Sequence, residues 1–173
     1  MRIALTGTPG AGKTSLAKVA AAKGWRVVDV KAWAKEMGCV AGYDDVDEAM
    51  AIDVEALAAK VPADDGSKVV YEGHLSHLLG LDEVWVVRCD PAVLHQRLQA
   101  RKYSEAKIEE NLEAEALDVI LQEALDQDCF VLQRDGTRRS PEALFSAFAD
   151  ASRQGLKGDD LEPVDWSDQL PFS

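Results

Sequence analysis

A doubly wound α/β fold, with a parallel five-stranded sheet flanked by helices, is predicted by three observations. Gly7-Thr8-Pro9-Gly10-Ala11-Gly12-Lys13-Thr14 fills every position of a G-x-x-x-x-G-K-T loop, directly after the apolar run Ile3-Ala4-Leu5 and before a helical pattern. Short apolar runs then alternate with segments of helical spacing along the chain. Two of these runs, Lys68–Tyr71 and Glu83–Val87, suit central positions in a parallel sheet, where both faces are buried.

The elements follow in order. After the first strand and the loop, Lys13–Lys23 carries Leu16, Val19 and Ala20 at helical spacing, and Gly24 stands where a C-terminal cap is expected. Trp25–Val30 reads as the second strand and Lys31–Met37 as a short helix ending near Gly38. Tyr43–Asp47 reads as an acidic turn. Asp53 caps a helix with Val54, Leu57, Ala58 and Val61 on one face, stopped by Pro62. The polar loop Ala63–Ser67 leads to the two central strands. Asp90-Pro91 starts a helix, a capping carboxylate followed by proline at the first helical position, that runs to about Arg101. Ser104–Gln127 reads as one long helix, Cys129–Leu132 as the fifth strand, and Ser140-Pro141 as the start of a last helix with Leu144, Phe145 and Phe148 inward. Residues 1–153 thus form one domain, and 154–173 an extended acidic tail from which Trp166 and Phe172 can dock back.

The composition restricts the partners. A net charge of −12, from 31 Asp and Glu against 19 Lys and Arg, argues against a general polyanion-binding surface, so direct DNA binding is not expected. It suits either plain solubility or a salty cytoplasm. No apolar run approaches the length that spans a bilayer, and Met1-Arg2-Ile3 enters the first strand without a signal peptide. Cys39, Cys89 and Cys129 are odd in number and lack zinc or disulfide spacing, so they read as reduced thiols. A cytoplasmic protein is expected.

The chemistry starts at the loop. Its backbone N–H groups and the helix start behind it form a phosphate cradle, with Gly10, Gly12, Lys13, Thr14 and Ser15 as the expected binding set for a nucleoside triphosphate. Lys13 should reach the β- and γ-phosphates, and the Thr14 hydroxyl should take a Mg²⁺ position. Glu72 ends a central strand, where such folds place a carboxylate that orients Mg²⁺ through water. His74 shares that sheet edge and is a candidate to touch a phosphate, orient water or shuttle a proton. His77 and His95 read as surface or packing residues. Arg97 and Arg101, four apart on one helical face, suit an anionic partner, one on the adenine face and one on the polyphosphate. Arg88, ending a strand on the ligand edge, either binds a second nucleotide's phosphate or pairs with Glu72.

Together these segments resemble the sixth adenylate kinase isoenzyme family, small archaeal and eukaryotic NMP kinases also known as ribosome-assembly factors. The matching residues are Leu5 through Thr14, Gly42-Tyr43-Asp44, Glu72-Gly73-His74, Val86-Val87-Arg88, and Arg97-Leu98 through Arg101-Lys102-Tyr103 to Lys107, Asn111 and Glu115, covering roughly residues 3 to 125. The family usually has Arg-Gly-Tyr where Arg101-Lys102-Tyr103 stands, and many members have Asp-x-His in place of Glu72-Gly73-His74. The resemblance implies an NMP-kinase-like fold with an NMP-binding flap at about 29–52 and a lid at about 100–110. It implies Lys13, Arg101, His74 and Glu72 as the catalytic set, with Asp29, Tyr43 and Arg88 toward the acceptor. The expected activity is phosphorylation of a nucleoside monophosphate by ATP with Mg²⁺, AMP being the expected best acceptor, accompanied by ATP hydrolysis. The expected partner is a ribosomal protein of the small-subunit platform, which the acidic segment Tyr43–Glu48 would suit. The rivals are an assembly ATPase in which kinase activity is incidental, and a small-metabolite kinase on the same scaffold.

Overall fold

The computed structural model describes residues 1–44, 49–153 and 158–169, with backbone only at 43, 44, 49, 50 and 153. Its centre is a parallel sheet of strands β1 (Arg2–Thr6), β2 (Arg26–Asp29), β5 (Val69–Glu72), β6 (Glu83–Arg88), β7 (Phe130–Asp135) and β8 (Asp160–Leu161), in the order β2-β5-β1-β6-β7-β8. The expected centre is correct: β5 and β6 flank β1, pairing Ile3 with Val70 on one side and with Glu83 on the other. The sheet has six strands where five were predicted. The sixth comes from the segment read as an extended tail, with Asp160 and Leu161 pairing to Leu132 and Gln133.

Alternation along the strands divides the core. Ile3, Leu5, Trp85 and Val87 face helices α1 (Lys13–Ala22), α4 (Pro91–Ala100), α5 (Glu105–Ala116) and α7 (Pro141–Arg153), where Leu16, Leu98, Ile108 and Phe148 complete one cluster. Ala4, Val70's neighbours Val69 and Tyr71, Val84 and Val86 face the other side. There α2 (Val30–Glu36), α3 (Val54–Ala58) and α6 (Val119–Leu125) supply Val30, Leu57 and Leu121. Trp85 and Phe148 stack with centroids 4.9 Å apart.

Two further differences have physical reasons. The chain from Val40 to Ile52 contains an antiparallel pair, β3 (Val40–Asp44) and β4 (Ala49–Ile52), where a turn was predicted. Ala41, Gly42, Ala49 and Ala51 interrupt its apolar alternation and hide it. Residues 45–48, the last four of the expected acidic segment Tyr43–Glu48, lie outside the described residues. The long helix predicted over 104–127 breaks after Ala116, because α5 serves one face of the sheet and α6 the other. Asp118 makes the turn in a left-handed conformation, φ 58°, which an aspartate adopts more readily than most residues. No helix among the described residues is long and apolar enough to cross a membrane.

Candidate active site

At the carboxyl edge of β1 the chain turns through Gly7–Thr14 into α1. Gly7 is obligatory here: at φ 139° an added Cβ would lie 2.4 Å from the Val87 carbonyl oxygen of the neighbouring strand. Gly12 occupies the N-cap of α1 and provides no capping side chain, so the first amide groups of the helix are left for an anion. Lys13 is buried and donates from Nζ to the Gly7 and Thr8 carbonyls, at 2.6 and 3.0 Å. Burial lowers its pKa to about 8; Glu72 and Glu115 oppose that shift, and the nearby Arg101 adds to it.

Thr14 and Glu72, both expected at a Mg²⁺ position, lie side by side, Oγ1 donating to Oε1 at 3.4 Å. Burial raises the Glu72 pKa, Lys13 counteracts this, and Asp29, its register partner on β2, raises it further. His74 follows on the same edge, exposed, with its carbonyl accepting from Thr6 Oγ1 at 3.0 Å. Partial desolvation, then the charges of Lys13, His77, Lys31 and Lys107, lower its pKa and favour the neutral imidazole at pH 7. His77 is a buried packing residue, as expected, with its nitrogens 3.0 Å from Thr6 Oγ1 and 3.0 Å from Glu123 Oε2.

The arginines are placed differently from one another. Arg101 is exposed at the C-terminus of α4. Arg97 braces two loops, donating to the Gly10 carbonyl at 3.1 Å and the Thr137 carbonyl at 3.3 Å. Beside Thr137 lies a cavity of about 410 Å³ whose walls include Asp90, Asp135, Arg139 and Trp166. Arg88 fits neither alternative raised for it. It is 2% exposed and does not reach Glu72. Nε donates to Glu115 Oε1 at 2.8 Å, Nη1 to Gln133 Oε1 at 2.7 Å, and Nη2 to the Glu115 carbonyl at 2.8 Å and to Asp118. Trp166 lies over the guanidinium, 5.1 Å from ring centroid to Cζ. A guanidinium with these partners is a buried tie and has little left to offer a phosphate.

The remaining predicted residues are Ser15, exposed next to Thr14, and Asp29, whose Oδ1 accepts from Ala32 N at 2.9 Å and so caps α2. Tyr43 has its backbone in β3, and its side chain lies outside the described residues. Sequence reasoning missed Thr8 as a bonding residue. The Thr8 hydroxyl, 1% exposed, donates to Glu115. Glu115 had entered only as a matching position of the resemblance, with no role attached.

Comparison with known proteins agrees with this geometry. The AAA domain family matches residues 3–118. A protein of Archaeoglobus fulgidus named "Putative adenylate kinase" is 43% identical, over 98% of this chain and 94% of its own length. Proteins of the same name from Pyrococcus abyssi and Natronomonas pharaonis are 40% and 37% identical, covering 97% and 98% of this chain and 92% and 100% of their own. This chain belongs to that adenylate kinase family. Solved structures of a deoxyadenosine kinase from M. mycoides and a gluconokinase from Sinorhizobium meliloti share the fold. Their TM-scores are 0.52 and 0.51 at 15% identity, over 90% and 88% of this chain and 100% and 92% of theirs. Membership of this adenylate kinase family makes the chain a P-loop phosphotransferase. The side chains gathered at the carboxyl edge are then those available to a phosphoryl group.

Proposed function

We propose that this protein is an ATP-dependent nucleoside monophosphate kinase with AMP as best acceptor, converting ATP and AMP to two ADP. The observation that carries this reading is the buried Lys13 ammonium, held against the loop carbonyls beside the Thr14–Glu72 pair. A polyphosphate entering the loop replaces those carbonyls as the partner of Nζ. An oxygen of the acceptor phosphate attacks the γ-phosphorus, the bond to the bridging oxygen breaks, and ADP leaves with that oxygen. Lys13 and Arg101 offset the charge on the transferring group, and no covalent enzyme intermediate is required.

Mg²⁺ fits the residues present. Thr14 offers a hydroxyl, and Glu72 a partly buried carboxylate that would act through water. Among the described residues no cluster of three His, Cys, Asp or Glu side chains could hold a metal by itself. That suits an ion which keeps most of its ligands as water and substrate phosphate. When bound it would neutralise phosphate charge. The neutral imidazole of His74 would accept a hydrogen bond from water or an acceptor group. The flap at 29–52 corresponds to α2 with the separate β3–β4 pair, and the lid at 100–110 to the corner between α4 and α5. Asp29 and Tyr43 are proposed on the acceptor side on the strength of the resemblance. A cytoplasmic location fits the same reading.

ATP hydrolysis, a role in small-subunit assembly and a platform ribosomal protein as partner rest on the resemblance to the sixth isoenzyme family, with no side-chain observation to favour them. The deciding experiment is ADP formation from ATP with AMP, CMP, UMP or GMP, alongside phosphate release without an acceptor. The reading expects AMP-dependent ADP formation well above basal hydrolysis, reduced by orders of magnitude in Lys13→Ala. Hydrolysis indifferent to every acceptor would replace it with the ATPase reading.

A further inference from the structure

We propose that Glu115 is a positioning residue for the phosphate loop and acts through the Thr8 hydroxyl. The inference rests on the reading above, in which the loop binds ATP, and assigns a residue that shapes it.

Glu115 is 3% exposed and lies in the last turn of α5, far in sequence from the loop. One carboxylate oxygen accepts from Thr8 Oγ1. The other accepts from Arg88 Nε at 2.8 Å and from the Cys89 backbone N–H at 3.1 Å. Three donors from the loop, the end of β6 and a guanidinium therefore converge on one acceptor-only group. Thr8 in turn holds the loop's shape, since its carbonyl accepts from Ala11 N at 3.0 Å and from Lys13 Nζ at 3.0 Å. The peptide against which the catalytic ammonium is parked is thus anchored by a carboxylate on another element.

The consequence is mechanical. Helix α5 begins at Glu105, immediately after the corner that carries Arg101. Arg88 fixes the far end of the same helix, through the Glu115 carbonyl at 2.8 Å and through Asp118. A movement of α5 is therefore delivered to Thr8 by a buried hydrogen bond, and the loop adopts its phosphate-binding shape only with α5 seated. Side-chain bulk at position 8 is not what matters here; the hydroxyl proton is.

Thr8→Val removes that proton and keeps the branched shape, while Thr8→Ser restores it. The dissociation constant for MgATP, measured by calorimetry on the full chain, should rise about tenfold in Thr8→Val, in line with loss of a hydrogen bond to a charged group. It should stay within about threefold of wild type in Thr8→Ser. In a double-mutant cycle on MgATP affinity, Glu115→Gln should weaken binding alone and add little on top of Thr8→Val, because of its three hydrogen bonds only the one from Thr8 reaches the loop. Unchanged affinity in Thr8→Val, an equal loss in Thr8→Ser, or additive losses in the cycle would each overturn the proposal. Wild-type protein that fails to bind MgATP would instead overturn the reading of the loop itself, and this proposal with it.

Discussion

Replacing Arg88 by methionine separates a structural role from a substrate-binding one. The guanidinium and the Glu115 carboxylate are each 3% exposed in their side chains, whereas Asp118 is 34% exposed. Losing the cation lets Asp118 turn to solvent but leaves Glu115 a buried charge with the Thr8 hydroxyl and Cys89 N–H as remaining donors. Removing one partner of such a buried pair costs about 3–5 kcal/mol. For a chain of this size each kcal/mol lowers the melting temperature by about 2–4 °C, so Arg88→Met should melt roughly 6–20 °C below wild type. The double variant Arg88→Met with Glu115→Leu removes both charges and should recover part of that loss, the rest staying with the Thr8 hydroxyl and Cys89 N–H that lose their acceptor. Thermal and urea unfolding followed by circular dichroism measure the effect. A variant Arg88→Met as stable as wild type, with a raised KM for AMP, would refute this reasoning and return Arg88 to the acceptor site.

Three other outcomes follow from the site. Lys13 titrates near 8 in the free protein, so its charge is present below that pH and lost above it. The pH profile of kcat/KM for ATP should fall about tenfold per unit beyond pH 8, while kcat, which reports the phosphate-bound state, should stay flat to higher pH. Glu72→Gln should raise the Mg²⁺ concentration for half-maximal activity several-fold with little change in melting temperature, since burial already disfavours the Glu72 charge. Gly7→Ala meets the Val87 carbonyl at 2.4 Å in a conformation that side chains rarely adopt. It should cost about 2–4 kcal/mol by unfolding and abolish ATP binding by calorimetry.

What could be read from the residues and what could not divides along one physical line. The strands β1, β5 and β6 are buried on both faces, so their apolar runs show in any window of sequence. The phosphate loop is equally visible, because its chemistry needs fixed residue types at fixed spacing on one continuous segment. The break between α5 and α6 has no such local mark. Leu112, Ile120 and Leu121 keep a helical spacing across it. What ends α5 is the left-handed Asp118, φ 58°, held by Arg88 from another strand. The same limit explains why the partners of Arg88 were not legible. A strand-end arginine beside a phosphate loop has the right type and address for an anion, and only the fold reveals that its anion is Glu115, from a helix later in the chain.

Lys102 joins the two cases. The resemblance leads one to expect glycine there, and Lys102 instead adopts φ 60° at the corner between α4 and α5. That angle costs a lysine roughly 1 kcal/mol, which glycine would not incur. The corner is therefore dictated by the packing of α4 and α5, with Leu98 and Ile108 in one core cluster. Glycine there is a convenience of the backbone and not a condition of the fold. On this argument the place of Arg101 at that corner follows from how α4 and α5 pack, and needs no glycine at residue 102.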